Sequence, residues 1–168
     1  MGGARMHIVA DALPGRATPC VADLPGKLIA FHSTATPMTA EISVPVSFGE
    51  LLDKISILQI KSERISDPAK LANIRAELSA LEKTWMAHPA GVKDIAKLRA
   101  ELKDINEKLW DIEDNIRLKD QAGEFDADFV ALARSVYLNN DERARIKKDL
   151  NGALGSLFVE EKSYKHAK

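Results

Sequence analysis

The sequence predicts an all-α protein: a helical bundle built on a long antiparallel coiled-coil-like hairpin, preceded by a short extended segment. Two observations carry this. Ile95, Leu98, Leu102, Ile105, Leu109, Ile112 and Ile116 alternate at spacings of three and four, a heptad seam that reads as one helix over 92–122. At about 1.5 Å per residue such a helix is roughly 45 Å long and needs a partner along its apolar stripe. Leu71, Ile74, Leu78, Leu81 and Trp85 repeat the same spacing, so the helix holding them is expected to fold back on the seam as the second arm of the hairpin.

In chain order, residues 1–38 read as a disordered leader or upstream extension. They hold Pro14, Pro19, Pro25 and Pro37 with Gly2, Gly3, Gly15 and Gly26, and show no sustained period that would bury a face. Met38 is the expected working start, and 39–168 the single helical domain. Ile42, Val44 and Val46 alternate with Glu41, Ser43 and Pro45, which predicts a short extended segment, with Pro45 excluding a central strand. Ser47-Phe48-Gly49-Glu50 has capping-box spacing and starts a first helix running to about Ile65. Asp67-Pro68 supplies an N-cap and first-turn proline for the second, which His88-Pro89-Ala90-Gly91 ends. Gly123 closes the long third helix. Phe125, Phe129, Leu132, Ala133 and Val136 suggest a fourth helix, and Asn139-Asn140-Asp141 a turn into a fifth carrying Ile146, Leu150 and Leu154. Glu160 to Lys168 reads as a polar, frayed end.

Composition narrows the function classes. A formal net charge of -1 gives nucleic acid no global electrostatic reason to bind, and no apolar run approaches the ~20 residues of a membrane span. Cys20 is the sole cysteine, and no secretory signal is evident, so a cytoplasmic location is expected. The histidines, His7, His32, His88 and His166, form no Glu-x-x-His pair, and there is no Gly-rich phosphate loop or nucleophile elbow. No metal, cofactor or catalytic residue is expected.

Four stretches resemble an uncharacterised bacterial family, a domain of unknown function: ISVPVSFGELLDKISILQIK from Ile42, LWDIEDNIR from Leu109, FVALARSVYLNNDERARIK from Phe129 and GSLFVEEKSY from Gly155. The resemblance spans 42–164 and brings no activity to transfer. It implies only a loose association with cell-surface polysaccharide synthesis.

The charged positions supply the candidate binding residues. On a helical wheel Glu50, Asp53, Lys54, Lys61 and Arg64 share one sector of the first helix with Ile57. If that helix is the bundle's centre, part of this stripe is desolvated and its ions need partners, defining a polar pocket; otherwise it is a solvated stripe stitched by pairs such as Glu50 with Lys54. Glu101, Asp104, Glu107, Asp111 and Asp114 line one side of the third helix, a row that reads as a solvated or salt-bridged face before a docking face or a metal site. Trp110, with Asp111, Asp114 and Arg117 around it, either widens the core contact or anchors a partner. Arg134, Tyr137, Asn140, Asp141 and Arg143 gather at the turn, with Asp141 the expected N-cap. Arg143, Arg145, Lys147 and Lys148 form a local basic cluster without aromatics, which does not make a nucleic-acid site.

Two readings follow. The first is a non-enzymatic helical module binding a protein partner or a second copy, because apolar length on the third helix exceeds what the second covers. The alternative is a small enzyme or ligand-binding bundle holding an anionic metabolite among Asp53, Lys54, Lys61, Arg64, Arg117 and Arg134, similar to the all-helical chorismate mutases in architecture only. A buried cage of at least three cations would favour it.

Overall fold

The computed structural model describes residues 4–9 and 41–163. In order these form β1 (Ala4–Val9), β2 (Glu41–Val46), α1 (Phe48–Arg64), α2 (Pro68–Ala87), a 3-10 turn at Pro89–Val92, α3 (Ala96–Ala122) and α4 (Ala127–Leu154). The all-α bundle is as expected, and β2 is the expected extended segment. β1 falls within the stretch read as leader, where the sequence suggests no element. It pairs antiparallel with β2, Ala4 opposite Val46 and Val9 opposite Glu41. A partner so far along the chain leaves no local period to read. Pro45 is tolerated because a two-stranded ribbon has no interior strand. The rest of the expected leader lies outside the described residues.

The N-terminus of α1 is closed by three acceptors. Ser47 Oγ accepts from the Glu50 N–H at 3.1 Å, Asn151 Oδ1 from the Gly49 N–H at 2.7 Å, and Ser156 Oγ from the Phe48 N–H at 3.4 Å. This is half a capping box, since Glu50 turns to α4 instead of back to its own helix. Gly49 is needed for the close approach: a Cβ there would lie 2.7 Å from the Lys147 carbonyl oxygen. Asp67 caps α2 by accepting from the Lys70 N–H at 2.9 Å, with Pro68 in the first turn. Gly123 ends α3 at φ 71°, a left-handed conformation that suits glycine.

Two expectations need correction. The long hairpin exists, but its second arm is α4 and not α2. Helix α3 packs along α4, α2 packs along α1, and α1 touches all three other helices. The chain turns at Pro89–Val92, and Lys93 Nζ then donates to the Ala153 and Leu154 carbonyls at 3.3 and 3.2 Å, joining the start of α3 to the end of α4. The α2 stripe serves α1 instead: Trp85 meets Phe48 edge-on with ring centroids 6.0 Å apart. Second, no turn breaks α4 at Asn139-Asn140-Asp141. The Asn139 and Asn140 amides donate back to the Ser135 and Val136 carbonyls at 2.7 and 2.9 Å, so the pair sits within a continuous helix. The N-cap is Asp126, accepting from the Phe129 N–H at 2.9 Å. Asp141 therefore caps nothing.

The core is centred on α1, where Leu51, Leu52, Ile55 and Leu58 meet Leu81 and Trp85 on one side and Leu102, Ile105, Ile146 and Leu150 on the other. The α3 seam is buried at Ile95, Leu102, Ile105 and Leu109 but only half-buried at Ile112 and Ile116. Past Asp111, where Arg64 at the end of α1 makes its contact, α3 and α4 have chiefly each other for cover. Among the described residues no helix is long and apolar enough to cross a membrane.

Candidate functional site

Three places collect the candidate residues. The first is an interior ion cluster between α1 and α4. Lys147, its side chain only 6 % exposed, sets Nζ 2.5 Å from Glu50 Oε1, 2.5 Å from Glu160 Oε2 and 4.0 Å from Asp53 Oδ2. Asp53 Oδ1 accepts from Asn106 Nδ2 at 2.8 Å, the same amide nitrogen lies 3.2 Å from Ser56 Oγ, and Asn106 Oδ1 accepts from Arg143 Nη1 at 3.4 Å. Burial pushes the Asp53 carboxyl above its ordinary value, and the nearby Glu50 charge adds to this. The Asn106 bond and the Arg143 and Lys147 charges only partly oppose it. Burial alone would lower Lys147, but its bonds to Glu160 and Glu50 and the Asp53 charge outweigh it and leave the ammonium above its usual range. Of the α1 stripe Asp53 is thus desolvated and Glu50 is paired but half-exposed, while Lys54 makes a half-exposed pair with Glu77 of α2 at 3.1 Å.

The second place is an open groove of about 510 Å³ between the second half of α1, the middle of α3 and the middle of α4. Of the fourteen candidate binding residues, Lys61, Trp110, Asp114, Arg117, Asn140 and Arg143 line it, joined by Ile57, Asn106, Leu109 and Glu113. Trp110 is half-buried at the groove wall instead of filling the core, with the Arg64 guanidinium carbon 5.9 Å from its ring centroid. Arg64 also pairs with Asp111. Arg117 is held by Glu113 at 2.9 Å and by Asp114 at 3.9 Å on its own helix. Three cations therefore reach the groove, but Arg117 is exposed and neutralised, so they do not form a buried cage.

The third place is the outer face of α4, which presents Val130, Arg134, Tyr137, Leu138 and Asp141 to solvent. The acidic row on α3 is largely salt-bridged: Glu101 meets Lys97, Glu107 meets Lys103, Asp111 meets Arg64 and Asp114 meets Arg117. The basic cluster divides. Arg143 and Lys147 turn inward, whereas Arg145 pairs with Glu142 and Asp149, and Lys148 with Glu161. The start of the polar end is tied down along α4 by Glu160, Glu161 and Lys162, the last donating to the Asn140 carbonyl at 2.8 Å. Asn106, Lys147 and Glu160 were not among the sequence candidates. Two of them carry a readable signal: Asn106 stands beside Ile105 on the buried side of the seam, and Lys147 falls on the stripe of Ile146, Leu150 and Leu154.

The profile of a family of unknown function (DUF6165) matches residues 42–167, more than half of the chain. No curated protein matches, and no solved structure matches.

Proposed function

We propose a binding role for this chain, which belongs to the family of unknown function DUF6165: it is a non-enzymatic helical interaction module that pairs with a second copy of itself through the outer face of α4. The supporting observation is the exposed stripe of Val130, Arg134, Tyr137, Leu138 and Asp141, spaced 4, 3, 1 and 3 along one side of a continuous helix. Tyr137 is 50 % and Leu138 57 % exposed. The stripe is self-complementary. Two antiparallel α4 helices related by a two-fold axis between Tyr137 and Leu138 put each Tyr137 against the other chain's Leu138 and set each Arg134 opposite the other chain's Asp141. Among the described residues Asp141 pairs with Lys162 at 3.5 Å, a partly exposed surface pair of modest worth that a second copy can displace. The setting this reading takes from the resemblance is a loose association with cell-surface polysaccharide synthesis. The enzymatic alternative lacks the buried cation cage it calls for among the described residues.

Size-exclusion chromatography with light scattering across a dilution series tests the pairing. The expected result is a concentration-dependent dimer that Arg134→Asp weakens and Arg134→Asp with Asp141→Arg restores. A strict monomer at every concentration overturns it.

A further inference from the structure

Lys61 and Arg143 are half-buried cations that face one groove from α1 and α4, and among the described residues neither meets a carboxylate within ion-pair distance. Arg143 is held by Asn106 Oδ1 at 3.4 Å and feels the Asp53 charge from beyond ion-pair distance, whereas the Lys61 ammonium has no hydrogen bond or ion pair among the described residues. Most other cations of the bundle that are even partly buried have found an acid: Lys103, Lys119 and Lys147 each hold two or more. A cation withdrawn from water without a partner is unfavourable unless an anion arrives to complete it. The groove's apolar lining is formed by Trp110, Ile57 and Leu109. About 510 Å³ lies in the range of small-molecule sites.

We propose that this groove binds a small organic anion with one charged group and a planar apolar body, the charged group between Lys61 and Arg143 and the body against Trp110. A carboxylate or a phosphate monoester supplies the same charge-assisted acceptor chemistry. Ligands with a second charged group fit poorly, because Glu113 and Asp114 stand at the same groove and would repel it. The site is separate from the outer face of α4, so its occupation does not depend on pairing between copies.

The test is a titration of the nitrogen-15-labelled full chain by NMR, following the Trp110 indole N–H, which Trp110→Phe identifies. The probes are benzoate, phenyl phosphate, inorganic phosphate and neutral phenol. Saturable millimolar binding of benzoate or phenyl phosphate that moves the Trp110 signal, weakened about tenfold or more by Lys61→Gln and by Arg143→Gln, supports the site and says which anion it prefers. Lys61→Gln decides the matter if Arg143→Gln disturbs Asn106 and the fold, since Lys61 has no ion-pair partner to lose. The proposal is overturned if neither aromatic anion binds, if phenol binds as tightly, if inorganic phosphate equals phenyl phosphate, or if Lys61→Gln leaves the affinity unchanged.

Discussion

Lys147→Met removes the cation shared by Glu50, Asp53 and Glu160 while keeping an unbranched apolar stem of similar length in the α1–α4 contact. Removing one member of a fully buried ion pair costs about 3–5 kcal/mol, because the other charge is stranded. Here the cost is smaller. Glu50 is half-exposed and regains water, Glu160 is about one-fifth exposed, and burial already holds the Asp53 carboxyl above its ordinary value, so less of its charge is at stake. The expected loss is about 2–3 kcal/mol at neutral pH, or roughly 6–12 °C in Tm for a fold of this size. Urea denaturation followed by far-UV circular dichroism measures it, run at neutral and at mildly acidic pH. The loss should shrink on acidification as Asp53 is neutralised, and adding Asp53→Asn to Lys147→Met should recover part of it. A variant within about 0.5 kcal/mol of the parent at neutral pH, or a loss that does not shrink in acid, refutes the idea that this lysine holds α1 to α4.

Three further outcomes are expected. Gly49→Ala drives a methyl group to 2.7 Å from the Lys147 carbonyl oxygen and against the Asn151 amide, so a loss of about 1–3 kcal/mol in thermal melts is expected despite the better helix former. Asp53→Asn probes the raised pKa. A carboxyl whose pKa rises on folding contributes stability that is full below its unfolded value and is lost as pH climbs through the folded one. Asp53→Asn should therefore match or exceed the parent's Tm at neutral pH, with the parent gaining on it as pH falls toward 3.8; a parent clearly more stable at neutral pH would count against burial as the dominant cause. Asp141→Ala, measured in dilute solution, separates a mid-helix residue from a cap. A continuous α4 predicts a gain of about 0.5 kcal/mol from helix propensity, whereas an N-cap would lose about 1 kcal/mol.

What was legible in the sequence divides along physical lines. Local chemistry read well: Ser47, Asp67-Pro68 and Gly123 mark helix ends through bonds to residues a few positions away, and the structure has them in those roles. The α3 seam was legible as a helix because its period is local, but its partner was not, since a heptad stripe says only that something apolar covers it. The length match between α3 and α4 is hidden by Asn139-Asn140-Asp141, residues that favour turns in isolation yet are held in a helix here, continuous with the packed turns of Ile146 and Leu150. Of the site, the charged stripe on α1 pointed to the right helix. Which of its members are buried depended on α4, so Glu50 and Asp53 went to the interior cluster and Lys61 to the groove. By charge Lys147 groups with its sequence neighbours, but its position on the apolar stripe is what places it.

The pairing of two α4 helices is tested most directly by a cysteine at its centre. In a Cys20→Ser background, Leu138→Cys should form a disulfide-linked dimer rapidly under mild oxidation, because antiparallel helices about that axis bring the two positions together, while Leu118→Cys, equally exposed but on α3, should not. Cross-linking at position 138 no faster than at 118 would contradict the account.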